Sequence, residues 1–229
     1  IVRVAERALS CGADRVVVAV DDASVYEACA AAGLDVIMTD PHHPTGTDRL
    51  AEAVAKIGLA DDEIVVNLQG DEPLMPLNVI RDVAGDDILF MAFPTESGDP
   101  AHTIHNVESF FNPNVVKVVL DDRGTALTFS RAPIPWPRDH FRETKESLPE
   151  GFAPLHHLGL YAYRAGFLRR FPTLPQAPLE KLESLEQLRA LYYGERIAVM
   201  VLDAALPAGV DTQEDLDRVR AIFEKGQPV

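Results

Sequence analysis

Apolar and polar positions along this chain switch between two periods. RVVVAV (15–20), DVIMT (35–39) and EIVVNLQ (63–69) are short, Val- and Ile-rich runs of strand length. Between and after them lie stretches of helical period: 1–10, ASVYEACAAAG (23–33, closed by Gly33), DRLAEAVAKIG (48–58) and PLNVIRDVA (76–84). Strands that are apolar throughout and alternate with helices predict an α/β fold. Its sheet is expected to be mostly parallel and covered on both faces. In such sheets ligands bind beyond the carboxyl ends of strands. DPHHPTGTD (40–48) and QGDEP (69–73) both occupy such ends, so both are expected to face one cleft.

The pattern changes in the middle. NVVKVVLDDRGTALTFSR (114–131) predicts a hairpin turning at 122–124. A long Pro-rich charged loop (132–151) follows and is not expected to be fully rigid. LHHLGLYAY (155–163) predicts a strand, with RAGFLRRF continuing into a helix. LEKLESLEQLRALYYG (179–194) reads as one amphipathic helix with a leucine stripe. RIAVMVL (196–202) is a strand. The last helix, 209–226, is capped by Asp211 or Thr212.

The chain has 229 residues, suiting one domain or a domain with a small lobe, and 47% are hydrophobic. No apolar run approaches the roughly 18 residues of a membrane span. With 36 acidic against 21 basic side chains the formal charge is −15. That surface repels nucleic acid and anionic membranes, so neither is an expected partner. An anionic ligand then needs a metal ion or a few well-placed cations. The two cysteines, Cys11 and Cys29, have no metal-ligand spacing and read as free thiols of a reducing compartment, which favours the cytoplasm.

Candidate chemistry sits in the loops. Asp71 and Glu72 are either a solvated turn or a site for a hard cation such as Mg²⁺, which takes oxygen ligands and phosphate. Asp211 is a second acid at a strand-to-helix junction; its plain role is capping, unless Thr212 caps instead. In 41–49, Gly46 permits close backbone approach, Thr45 and Thr47 bring hydroxyls, and Arg49 stands in the first helical turn. Alternation puts His157, Gly159, Tyr161 and Tyr163 on one strand face. This is either a surface for a hydroxyl-rich acidic ligand or the polar face of an edge strand. Glu186 and Gln187 read on pattern as solvated helix positions. Lys117, within a valine strand, and Arg131, at the hairpin's end, are cations that serve either an anion or the fold. Zinc is disfavoured by the histidine spacing.

TGTDRLAE (45–52), VNLQGDEP (66–73), FNPNVVKVVLD (111–121), FSRAPIPW (129–136), HLGLYAYRAGFLRRF (157–171), LEKLESLEQLRALYYGERI (179–197) and GVDTQEDLDRVR (209–220) occur in this order. Together they resemble the 3-deoxy-D-manno-octulosonate (Kdo) cytidylyltransferases, the CMP-Kdo synthetases. The resemblance implies a three-layer nucleotide-diphospho-sugar transferase (Rossmann-like) fold with a mostly parallel mixed sheet. It implies one domain over 1–229, with a hairpin lobe near 111–165 for sugar binding and dimerisation. It implies transfer of CMP from CTP to the 2-hydroxyl of Kdo, with release of pyrophosphate, for lipopolysaccharide biosynthesis in the cytoplasm of a Gram-negative bacterium, by a homodimer. Asp71 and Asp211 would be catalytic and hold Mg²⁺. Thr45, Gly46, Thr47, Arg49, Gln69 and Asp71 would bind the nucleotide; Arg131, His157, Tyr161, Glu186 and Gln187 the sugar. The alternatives are a cytidylyltransferase for another acidic sugar (8-amino-Kdo or a sialic acid) and a non-catalytic nucleotide-binding homologue. A D-x-D glycosyltransferase is disfavoured, because Asp71 and Glu72 are adjacent. The sequence departs from the family pattern in starting near the first helix, without the PAR-x(2)-S-x-RLPGKP loop whose bases hold the triphosphate. It also matches loosely over 84–107.

Overall fold

A computed structural model describes residues 1–84, 88–94 (backbone path alone), 107–202, 206–207 and 209–225. The loosely matching 84–107 stretch lies largely outside the described residues. The elements in order are α1 (Val2–Leu9), β1 (Val18–Val20), α2 (Ala23–Ala31), β2 (Val36–Met38), α3 (Gly46–Ile57), β3 (Ile64–Asn67), α4 (Leu77–Val83) and β4 (Ile88–Pro94). Then come α5 (Val107–Phe111), β5 (Lys117–Leu120), β6 (Ala126–Ser130), α6 (Arg138–Glu143), β7 (Leu155–Arg164), α7 (Ala165–Arg170), α8 (Pro178–Glu183), α9 (Gln187–Tyr192), β8 (Ala198–Val201) and α10 (Gln213–Glu224). The result is a mixed α/β fold, and the chain divides into two compact units.

The first unit holds residues 1–85, 160–173 and 206–229. β1 and β2 pair in parallel, and β3 pairs antiparallel with the second half of β7 (Asn67 opposite Tyr161, Ile64 opposite Arg164). Ala5, Val18, Val20 and Cys29 form one core cluster, with Val25, Tyr26 and Val36 packed on it. α3 packs against α7, burying Val54 and Leu168. Two βα junctions of this unit carry side-chain caps, whereas α4 and α7 start without one. Asp22 accepts from the N–H groups of Ser24 and Val25, and Thr45 accepts from that of Asp48. Such caps satisfy helix-end donors that would otherwise lack partners.

The second unit holds 86–159 and 174–205, with strand order β6-β5-β7-β4-β8. β4 and β8 are parallel; β5 is antiparallel to β6 and to the start of β7. The hairpin turns as expected, with Gly124 left-handed (φ 77°) and the Asp121 carboxylate accepting from the N–H groups of Arg123 and Thr125.

One expectation fails here, the single helix over 179–194, and the 132–151 loop carries more structure than its composition suggests. The 132–151 loop is anchored by α6, whose Phe141 is buried against Phe110, Leu148 and Phe152, with Trp136 stacked on it edge-on at 4.8 Å. Its aromatic residues supply a small core of their own, which a Pro count conceals. Residues 179–194 are two short helices, α8 and α9, separated at Ser184, which is left-handed (φ 52°). Leu179 and Leu182 stay exposed while Leu185 and Leu188 are buried. The reason is tertiary. The carbonyls of Glu183 and Ser184 accept from the Arg131 guanidinium, so the chain leaves the helical path to meet the end of β6.

Candidate active site

β3 ends in QGDEP. The turn is closed by Glu72 N–H donating to the Gln69 carbonyl (3.2 Å), which leaves Asp71 exposed and Glu72 half-buried. The 209–211 segment lies against it. Val210 N–H donates to the Asp71 carbonyl at 2.8 Å. The α10 cap is Thr212, in a reciprocal box with Asp215, so Asp211 is relieved of capping and exposed. Burial, then Asp71, then Asp211 push the Glu72 carboxyl up to about 7. All three causes act in one direction. These acids therefore concentrate negative charge at one strand end, with Gln69 half-buried alongside in the same turn.

The second βα loop of this unit is more self-contained than its sequence suggests. The Thr45 hydroxyl donates to Asp48 Oδ2 (2.7 Å) and caps α3; Thr47 is buried; Gly46 opens the helix. The Arg49 guanidinium pairs with Asp21, at the end of β1, at 2.5 Å. Glu52 bonds Lys56, the N–H of Asp40 and the His43 ring, and these hold its carboxyl down at about 2. This loop is thus shaped before any ligand arrives, and its remaining donors are chiefly backbone N–H groups at the start of α3.

In the second unit, the expected sugar residues fall into two kinds. Gln187 is 5% exposed, and its Nε2 has no hydrogen-bond partner among the described residues. Glu186, half-buried, precedes it at the start of α9. His157 stands edge-on to Phe129 (5.1 Å), and burial followed by His156 lowers its pKa to about 3, so the ring is neutral. Arg131 is different. Its Nε, Nη1 and Nη2 donate to the carbonyls of Glu183, Pro113 and Ser184, leaving at most two of its five N–H bonds for a ligand. Lys117 is fully buried and donates to the carbonyls of Asn112, Val115 and Arg131, which uses all three of its protons. Of the two cations left open between anion and fold, Lys117 serves the fold. In the first unit, Tyr161 is buried and stacks on Tyr163 at 6.0 Å, so its ring belongs to a core stack rather than to an open polar face.

The family described as cytidylyltransferase matches residues 1–197. The chain belongs to the cytidylyltransferase family. This cytidylyltransferase is 53% identical to the 3-deoxy-manno-octulosonate cytidylyltransferase of Herminiimonas arsenicoxydans, over 97% of this chain and 88% of that protein. It is 54% identical to the one from Acidovorax sp. (strain JS42), over 97% and 87%. A solved structure of CMP:2-keto-3-deoxy-manno-octonic acid synthetase complexed with CTP superposes with a TM-score of 0.81 at 35% identity, covering 98% of this chain and 87% of that one. HddC from Yersinia pseudotuberculosis shares the fold (TM-score 0.57, 11% identity, covering 97% and 84%).

Sequence reasoning passed over two features of this cytidylyltransferase. Glu72 is a plain neighbour of Asp71 in the sequence; the approach of Gly209 to its carboxylate is reported by no local pattern. Gly209 lies in the loop between a strand and the last helix, where a glycine is itself a signal of close backbone approach.

Proposed function

We propose that this cytidylyltransferase couples CTP to Kdo, giving CMP-Kdo and pyrophosphate. The observation that carries the reading is the meeting of the Asp71 turn with the Asp211 segment through the 2.8 Å bond from Val210. The names of its relatives and the CTP complex of a solved relative support it.

The donor set there is all carboxylate and suits a hard divalent ion. Among the described residues no group of three or more His, Cys, Asp or Glu stands ready as a complete cage. Two acids completed by phosphate oxygens is the usual arrangement for Mg²⁺. When bound, Mg²⁺ supplies neutralisation of the triphosphate and of the charge gathered by the acids. Asp71 and Asp211 would hold it, and both are therefore assigned as catalytic. Gln69 and the start of α3, with Gly46 leading, face the nucleotide; Thr45, Thr47 and Arg49 shape that loop. Gln187 and Glu186 offer amide and carboxylate groups to the sugar hydroxyls, and His157 a neutral imidazole. Arg131 backs the sugar site. Rate acceleration then comes from alignment of the 2-hydroxyl with the α-phosphate and from charge neutralisation.

The deciding experiment is pyrophosphate release by the natural full-length protein with CTP, Mg²⁺ and, in separate reactions, Kdo, 8-amino-Kdo or a sialic acid. Turnover with Kdo is expected. No release with Kdo ends the reading, and faster release with another acidic sugar reassigns the substrate. His157→Ala is expected to raise the Kdo KM more than the CTP KM; equal effects contradict its assignment to the sugar.

The same reading gives a cytoplasmic homodimer of lipopolysaccharide biosynthesis. It is supported by the unpaired, buried Cys11 and Cys29 and by exposed Leu127, Trp136 and Phe111 on the hairpin unit. Among the described residues no helix is long and apolar enough to cross a membrane. A monomer by light scattering would remove the dimer.

A further inference from the structure

We propose that Gly209 is a positioning residue for the divalent-ion site. Its missing side chain lets the 209–211 segment close on the 71–72 turn and so keeps Asp211 beside Asp71. The inference rests on the reading that these two acids hold the ion.

A Cβ at position 209 would stand 3.1 Å from the Asp71 carbonyl oxygen, 3.2 Å from Glu72 Oε1 and 3.4 Å from Glu72 Cδ. The tip of Glu72 can swing aside, but the Asp71 carbonyl is main chain. That same carbonyl accepts the Val210 N–H, so it cannot retreat without breaking the bond that joins the two segments. From the other side, Arg218 Nη2 donates to the Gly209 carbonyl (3.3 Å) while pairing with Asp215 (3.0 Å), and Asp215 is locked to Thr212. The segment is therefore clasped between the turn and α10, with Asp211 two residues beyond the glycine. An added methyl leaves the segment one way to move, which is off the turn, carrying Asp211 with it.

Other glycines of the chain lack this crowding. Gly12, Gly33, Gly58, Gly151 and Gly194 face open space, and Gly70 meets only the tip of Ile1. Gly166 is the matched case, because a Cβ there would stand 3.1–3.2 Å from Asp61. Asp61 precedes β3, whereas Asp71 follows it, so the two glycines press on opposite ends of one strand in the same unit. Gly166→Ala is thus a control for packing strain without displacement of the acids.

The test is titration of Mn²⁺ into the full-length protein mixed with CTP but no sugar, with protein-bound ion read by electron paramagnetic resonance against a blank of CTP alone and thermal stability measured in parallel. Gly209→Ala is expected to bind Mn²⁺ about tenfold more weakly, as for residues that support metal ligands without touching the ion. It should also raise the Mg²⁺ concentration needed for half-maximal pyrophosphate release. Gly166→Ala is expected to lose similar thermal stability and keep the affinity. Equal affinity in Gly209→Ala and the unaltered protein overturns this inference alone. No Mn²⁺ binding by the unaltered protein overturns the ion-site reading and this inference with it. Should Gly209→Ala not fold, Glu72→Ala with Gly209→Ala clears two of the three contacts and is compared with Glu72→Ala alone. A further loss of about tenfold supports the role, and no further loss removes it.

Discussion

Two regions of this protein gather charged side chains and treat them in opposite ways. Among the described residues of the second unit, the buried charges have their partners on the protein. Glu180 and Arg189, about 3% exposed each, form a two-pronged ion pair at 2.8 and 2.5 Å, with Glu180 also accepting the Ala177 N–H. Lys117 ends on three carbonyls, and Glu183 receives the Ser130 hydroxyl and the Arg131 N–H. At the end of β3 in the first unit, Glu72 is pressed by burial and by two like charges. Satisfied charge builds structure; like charge gathered at a strand end calls for a cation from outside. The contrast separates residues that a sequence reading lists side by side as candidate binders.

The largest effect that would break the contrast concerns the acids. Asp71→Asn and Asp211→Asn are each expected to cut kcat by on the order of a thousandfold, about 4 kcal/mol of transition-state stabilisation, with thermal stability near the parent's. Retained turnover in either variant removes its assignment. Next, Arg189→Met leaves the Glu180 carboxylate buried and alone. Denaturant unfolding should show a loss of roughly 3–5 kcal/mol, largely recovered by Glu180→Gln in the same chain. A loss below 1 kcal/mol would mean water reaches the pair.

A pH effect of roughly 3 kcal/mol is expected from His156, whose pKa is lowered to about 4 by burial and then by Lys117. Between the usual histidine value and 4 the unfolded chain binds the extra proton and the folded chain does not. Stability therefore falls as pH drops from about 6.5 to 4. His157, lowered to about 3, acts in the same direction, so His156→Gln should make that limb shallower without removing it, and an unchanged pH profile would refute the assignment. The smallest effect is Lys117→Met, which strands three carbonyls and should cost about 1–3 kcal/mol while leaving the Kdo KM unchanged. A rise in that KM would return Lys117 to the sugar site.

Most of the elements were legible in the chain, because their signals are local. β1, β2 and β3 follow apolar runs, the hairpin follows Gly124, and α3 and α10 start at Thr45 and Thr212, whose side chains cap the next turn. The fold class and family were legible too, since long motifs occur in order. The break at Ser184 was not legible. Its cause, Arg131, lies more than fifty residues away in sequence, while the intervening leucines keep a helical period.

The candidate site divides along the same line. Residue types and loop positions, and so the short list of acids, amides and histidines, follow from sequence because strand ends and caps are written locally. Which listed cations are already used, and which acid is freed from capping, depend on partners distant in the chain. So does the closeness of Asp71 to Asp211, which rests on a glycine with no side chain to announce it. Backbone carbonyls and missing methyl groups decide these points, and neither leaves a periodic trace in a sequence; only the folded chain sets them side by side.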